Sequence, residues 1–157
     1  MLPEVLVKEL ESRGFDVVEL LTRELSLDPE IEYRAHLELS QKMLMEGEAL
    51  IEKDPVQASE KLYKAAVEAV KAMAVKLGTN EAREALRQGR WTATLLFTAV
   101  TSISDKLSKP ELRLWWRVAW FLHVEGFHEA RLPIDEVRRD SQYVRAIVDL
   151  ALSVTNP

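Results

Sequence analysis

Cysteine is absent from the 157 residues. That excludes a disulfide scaffold, a thiolate zinc site, an iron–sulfur centre and a cysteine nucleophile. Histidine occurs only three times, too few for a histidine-rich metal site, so no metal or cofactor is expected. Five glycines and six prolines are too few for a disordered or collagen-like chain. The longest apolar runs are about five residues, as in Val118 to Leu122, far short of the ~20 that span a bilayer. The opening MLPEVLVKEL carries glutamates and no basic region, unlike a secretory signal. A cytoplasmic protein is expected. GxGxxG, Walker A, HExxH and GxSxG patterns are all missing, which argues against the chemistry those frameworks support.

What is present is a chain 47% hydrophobic and 30% charged, of a length suited to one domain over residues 1–157. Net charge is −5, and its distribution says more than its total. Residues 1–75 hold 9 basic and 16 acidic side chains, a net −7. Residues 76–117 hold 8 and 4, a net +4, and residues 118–157 hold 4 and 6, a net −2. The middle segment is a basic island of Lys76, Arg83, Arg87, Arg90, Lys106, Lys109, Arg113 and Arg117. Such an island attracts phosphates; a solvated helix surface of mixed sign is the plainer alternative.

Helical periodicity runs through the chain. Leu2 to Leu25 reads as two short helices broken at Arg13–Gly14, with Asp16 capping the second. Asp28–Pro29 and Asp54–Pro55 each join an N-cap aspartate to a proline suited to the first helical position, and so open two further helices. The first runs to about Glu52, with Ile31, Ala35, Leu39 and Leu50 apolar. The second carries Ala58, Leu62, Ala65, Ala66, Ala69, Val70, Met73 and Leu77 on one face and stops at Gly78. So much alanine implies close helix–helix approach. Residues 79–90 read as a short charged helix. Trp91 to Leu107 is rich in β-branched residues, but the spacing of Leu95, Leu96, Ala99, Val100, Ile103 and Leu107 favours a helix. Ser108-Lys-Pro-Glu111 has the form of a capping box opening a helix from Lys109 to about Leu132. A last helix covers roughly Asp135 to Val154. The expected fold is an all-α up-and-down bundle of about five main helices.

The stretch from Trp115 to Glu129 holds three of the four tryptophans and two of the three histidines. On a continuous α-helix, Trp116, Ala119, Trp120, His123, Phe127 and Ala130 share one stripe. Arg113, Arg117, Phe121, Val124 and His128 share another, about a third of a turn away. The tryptophans read as core. A His123 buried among Trp116, Trp120 and Phe127 would be barred from acting as a base. Glu125 and His128, three apart, suit a pair that orients a base or supplies two metal ligands. Arg90–Trp91 reads either as a nucleotide-stacking pair or as an aromatic anchored in the core.

Several segments resemble the archaeal PaREP family. They are Asp54-Pro-Val-Gln-Ala58-Ser-Glu-Lys-Leu-Tyr-Lys64-Ala-Ala66 continuing to Val70-Lys-Ala72, then Gly89-Arg-Trp91, then Leu122-His-Val-Glu-Gly-Phe-His-Glu-Ala130. That family is similar to the HEPN superfamily of helical bundles. The resemblance implies a protein that often dimerises and acts either as a metal-independent ribonuclease or as the partner of a nucleotidyltransferase in a toxin–antitoxin pair. The HEPN signature is an arginine, four to six residues, then a histidine. Arg117 and His123 match that spacing, although Val118 stands where a polar residue is usual. The favoured expectation is a homodimeric HEPN-like binding module for a nucleotide or RNA, with Arg90, Trp91, Arg113 and Arg117 lining the ligand surface. The alternative is a metal-independent RNA endonuclease in which Arg117 holds the phosphate and His123 or His128 moves the proton.

Overall fold

Two Asp–Pro steps set the frame. In a computed structural model that describes residues 2–156, the Asp28 side chain accepts from the Glu30 amide and Pro29 begins α3 (Pro29–Leu50). Asp54 accepts from the Gln57 amide and Pro55 begins α4 (Pro55–Lys76). Ahead of them lie α1 (Glu4–Ser12) and α2 (Val17–Leu25), separated at Arg13–Gly14. Asp16 caps α2 by accepting from the amides of Val18 and Glu19. Gly78 closes α4 in the left-handed region at φ +65°; the amides of Gly78 and Thr79 donate back to Val75 and Ala74. Thr79 caps α5 (Asn80–Gln88) and Thr92 caps α6 (Ala93–Leu107). The β-branched segment is therefore helical, and there is no strand among the described residues.

The region after α6 departs from expectation. Ser108 does not open a capping box. It lies at φ 53° as the left-handed end of α6, and α7 (Glu111–Phe121) begins after Pro110 with no side-chain cap. The α-helix expected to run on to Leu132 gives way at Leu122 to a π-helical segment, Leu122–His128. Its bond pattern persists beyond it, where the Glu129 amide donates to Val124 five residues back. After Pro133, α8 (Ile134–Thr155) completes eight α-helices and one π-helical segment among the described residues.

Helix α4 packs against α3, α5, α6, α7, α8 and the π segment. The expected face of α4, from Ala58 through Leu62 and Ala66 to Met73, is fully buried. Each such leucine, valine or methionine stabilises the fold by roughly 1.5–3 kcal/mol through burial. Helix α3 corrects the sequence reading. Its buried positions are Glu32, His36, Leu37, Ser40, Leu44 and Gly47, while Ile31 is exposed. The stripe facing α2 and α4 is half polar.

The π segment crosses α4 at Gly126. A Cβ there would sit 2.6 Å from Ser59 Cβ and closer still to its hydroxyl. Gly126→Ala should therefore cost about 1–3 kcal/mol through overpacking. For a chain of this size, that lowers Tm by roughly 2–12 °C. Circular-dichroism melting checks it, and Ser59→Gly in the same background should restore much of the loss.

Candidate functional site

Two polar clusters stand on α4. The first lies under the α1–α2 hairpin, and His36 of α3 is its hub. The imidazole is wholly buried. Its Nε2–H donates to Glu19 Oε1 of α2 at 2.5 Å, and its Nδ1–H donates to Glu68 Oε1 of α4 at 3.3 Å. Trp91 Nε1–H donates to the same Glu19 oxygen at 3.2 Å. Lys71, one turn from Glu68, bridges Glu68 at 3.0 Å and Asp16 at 2.6 Å. Glu32, one turn before His36, brings a further buried carboxylate beside Glu19. Apart from that contact, Glu19 Oε2 and Glu32 Oε2 are buried without a hydrogen-bond partner.

Burial sets the electrostatics. Loss of water together with the neighbouring Glu19 carboxylate pushes Glu32 up to about 9. For His36, burial alone acts to lower the pKa, but the Glu68 and Glu19 carboxylates overcome it and raise it to about 10. Burial likewise acts to raise Glu68, yet Lys71 and His36 hold it at about 2. Glu19 is lowered: burial opposes the charge, and the His36, Glu32 and Trp91 contacts outweigh it. The set thus keeps a proton on Glu32 and an imidazolium at His36 at neutral pH. Beside it opens a cavity of about 490 Å³. Asp16, Glu68, Lys71 and Trp91 form its polar edge, and Phe15, Leu39, Met43 and Val67 its apolar wall.

The second cluster joins α4 to the π segment. Glu60 Oε1 accepts from His123 Nδ1–H at 2.8 Å. The His123 ring stacks on Tyr63 with centroids 4.1 Å apart. A carboxylate only accepts, so in the neutral ring His123 Nε2 is the acceptor. It lies 3.2 Å from His128 Nε2, which then donates to it. The result is a chain from Glu60 through His123 to His128, whose last member is exposed. On an α-helix, residues five apart point well away from each other. The π segment's i→i+5 spacing brings these two rings together, so the two-stripe separation of His123 from His128 does not hold.

The remaining expected residues divide into two groups. Arg113 and Arg117 are exposed on α7, on the side that also presents Phe121. Arg90 lies over the Phe15 ring at 5.0 Å, and Trp91 is half-buried with its indole committed to Glu19. Trp91 is therefore an anchored aromatic rather than an open stacking surface. Among the described residues, no hydrogen bond, ion pair or cation–π contact joins Arg90 or Trp91 to Arg113 or Arg117. Much of the basic island is engaged locally. Lys76 lies over Tyr33, Arg83 donates to Gly78 and Asn80, and Arg87 pairs with Glu84. Glu125 pairs with Arg131, not with His128. His123 keeps a fifth of its side chain exposed, so it is not sealed among Trp116, Trp120 and Phe127.

The sequence reading passes over His36, Glu19, Glu32, Glu68, Lys71 and Glu60. A signal exists for part of the set. Glu32, His36 and Ser40 fall every fourth residue in line with Leu44, an unbroken polar stretch of an otherwise core-facing stripe.

The two protonated groups make stability pH-dependent. Both folded pKa values are raised, Glu32 from 4.5 to about 9 and His36 from 6.5 to about 10. Their contributions are complete below the unfolded values and are lost as pH rises through the folded ones. Urea unfolding in the presence of a chelator should show stability falling from about pH 4.5 to 10, most steeply between 6.5 and 9, where both groups contribute. The slope should approach ~1.4 kcal/mol per pH unit for each proton involved. Glu32→Gln, which copies the protonated form, should flatten that slope; an unchanged slope would place the proton elsewhere.

Comparison with known proteins agrees with the all-helical fold. A crystal structure of a Sulfolobus solfataricus protein matches with a TM-score of 0.68 and 35% identity, over 74% of this chain and 95% of that one. A solution structure of the same structural-genomics target matches with a TM-score of 0.64 and 35% identity, over 74% of this chain and 90% of that one. No curated protein matches. The family model described as the archaeal PaREP1/PaREP8 family matches residues 35–148, a span that runs from α3 into α8 and takes in most of the bundle. The chain belongs to the archaeal PaREP1/PaREP8 family.

Proposed function

We propose that this protein is a single-domain, HEPN-like binding module that acts as a homodimer and takes a phosphate-bearing ligand, RNA or a nucleotide, on the outward face of α7. The observation that carries this reading is the composition of that face. Arg113 and Arg117 stand one turn apart, beside Leu114 at 61% exposed and Phe121 at 45% exposed. Large apolar side chains left open next to cations that have no ion-pair partner among the described residues suit an interface. A two-fold contact would cover the apolar groups and gather four arginines from two copies. The ligand surface narrows to Arg113 and Arg117, since Arg90 is occupied against Phe15 and Trp91 against Glu19.

A second reading is favoured by one specific observation, the Glu60–His123–His128 chain. Glu60 fixes His123, His123 orients His128, and His128 presents a ring nitrogen to solvent. That is the arrangement a general base needs to take the proton from a ribose 2′-OH, with Arg117 holding the phosphate, in metal-independent RNA cleavage.

One experiment separates the readings. Light scattering gives the oligomeric state, and fluorescence anisotropy with labelled single-stranded RNA and with mononucleotides gives binding. A dimer is expected. Arg117→Ala should weaken RNA binding at all sequences and lower the salt slope by about 0.7 for each phosphate that is no longer neutralised. RNA incubated in EDTA should remain intact if the protein is only a binder. Cleavage abolished by Arg117→Ala and by His123→Ala or His128→Ala would establish the nuclease. A monomer without affinity for either ligand would remove both readings.

A further inference from the structure

The first cluster has no part in the proposed RNA site, and its construction points to a different ligand. Three donors converge from two helices: Glu19 on α2, with Glu32 and His36 one turn apart on α3. One atom from each lies within 4.8 Å of the others, and all three side chains are buried. Apart from the Glu19–Glu32 contact itself, Glu19 Oε2 and Glu32 Oε2, inside this set, have no hydrogen-bond partner. We propose that Glu19, Glu32 and His36 bind one divalent transition-metal ion of the zinc type through those two oxygens and the His36 Nε2.

The surroundings fit this assignment. A metal-bound histidine usually donates its other ring N–H to a carboxylate, and that carboxylate is itself held in place. His36 Nδ1–H donates to Glu68, and Lys71 fixes Glu68. Trp91 Nε1–H holds Glu19 Oε1, which leaves Oε2 to turn toward the ion. Two ligands on a tetrahedral ion stand roughly 3.3 Å apart. His36 and Glu19 Oε1, at 2.5 Å, are too close to bind as they stand, so the partnerless oxygen is the better donor. One imidazole with two carboxylates suits zinc or manganese better than magnesium, which prefers oxygen ligands and retains several waters. Glu68 and Trp91, which hold His36 and Glu19 in place, also line the neighbouring 490 Å³ cavity.

The test is calorimetric titration of the chelator-treated full chain with Zn2+. The Glu60–His123–His128 chain is the competing surface site, so His128→Ala is included. One equivalent should bind to the wild type and to His128→Ala. Glu32→Gln, which keeps the shape of the buried acid, should weaken binding at least 100-fold, and Glu68→Gln about 10- to 100-fold through loss of His36 orientation. X-ray absorption at the zinc edge of the wild type needs no variant to fold and should show one imidazole among oxygen ligands near 2.0 Å. Absence of stoichiometric binding by folded wild type would overturn the proposal. So would binding lost in His128→Ala but kept in Glu32→Gln, or a zinc shell with two imidazoles.

Discussion

Alanine on the inner face of α4 governs how closely every neighbouring element approaches. Ala58, Ala65, Ala66, Ala69, Ala72 and Ala74 are all fully buried, and six elements pack around that helix. With so little side-chain volume between backbones, longer polar side chains on the same helix reach straight into its neighbours. Glu60 and Tyr63 meet the π segment; Glu68 and Lys71 meet α3 and the start of α2. Both polar clusters are thus anchored on one rigid element, about 12 Å apart by its rise. Close approach also excludes side chains from the crossing, which is why Gly126 faces Ser59.

The first cluster has a structural role whatever it binds. Helix α1 buries no residue, and α2 buries only Glu19 and Thr22. The hairpin touches the bundle through half-buried valines and leucines and through charge: Asp16 to Lys71, Glu19 to His36 and Trp91. Removing one partner of such a buried pair costs far more than the pair is worth, because the other charge is left desolvated. Docking of α1–α2 is therefore conditional on the protonation of this set. The long helices rest on apolar packing and are not. The hairpin is the part of the molecule expected to open locally before the bundle unfolds.

What is legible in the sequence follows from the range of the forces involved. Caps are local, so the aspartates at positions 16, 28 and 54 can be read directly, as can Gly78 and the breaks they imply. The helix over 93–107 is readable because its apolar period outweighs its β-branched composition. Ser108 misleads because a capping box and a left-handed helix end draw on the same residue types, and Pro110 does not show which helix Ser108 serves. The π segment leaves no local signature that the sequence reading takes up; within it Gly126 meets Ser59, from a helix more than sixty residues earlier. His36 escapes for the same reason: its partners Glu19 and Glu68 lie 17 and 32 residues away. A buried acid–histidine network has no local pattern beyond the polar interruption of the α3 stripe.

The two clusters differ in how they relate to the family. The family model matches residues 35–148, which takes in Glu60, Tyr63, Arg113, Arg117, His123 and His128. It also takes in His36, Glu68 and Lys71, but begins after Asp16, Glu19 and Glu32. The Sulfolobus protein is covered over 95% of its length by 74% of this chain. The relay on the π segment lies within the matched bundle. The buried acid set is completed by residues that precede it, and the hairpin that carries Asp16 and Glu19 is the element held partly by charge. A cation bound there would replace proton-dependent docking with ligand-dependent docking, because one ion would tie α2 to α3 directly. The proposed metal site and the stability of the hairpin are for that reason one physical question, and the RNA face proposed on α7 is a separate one.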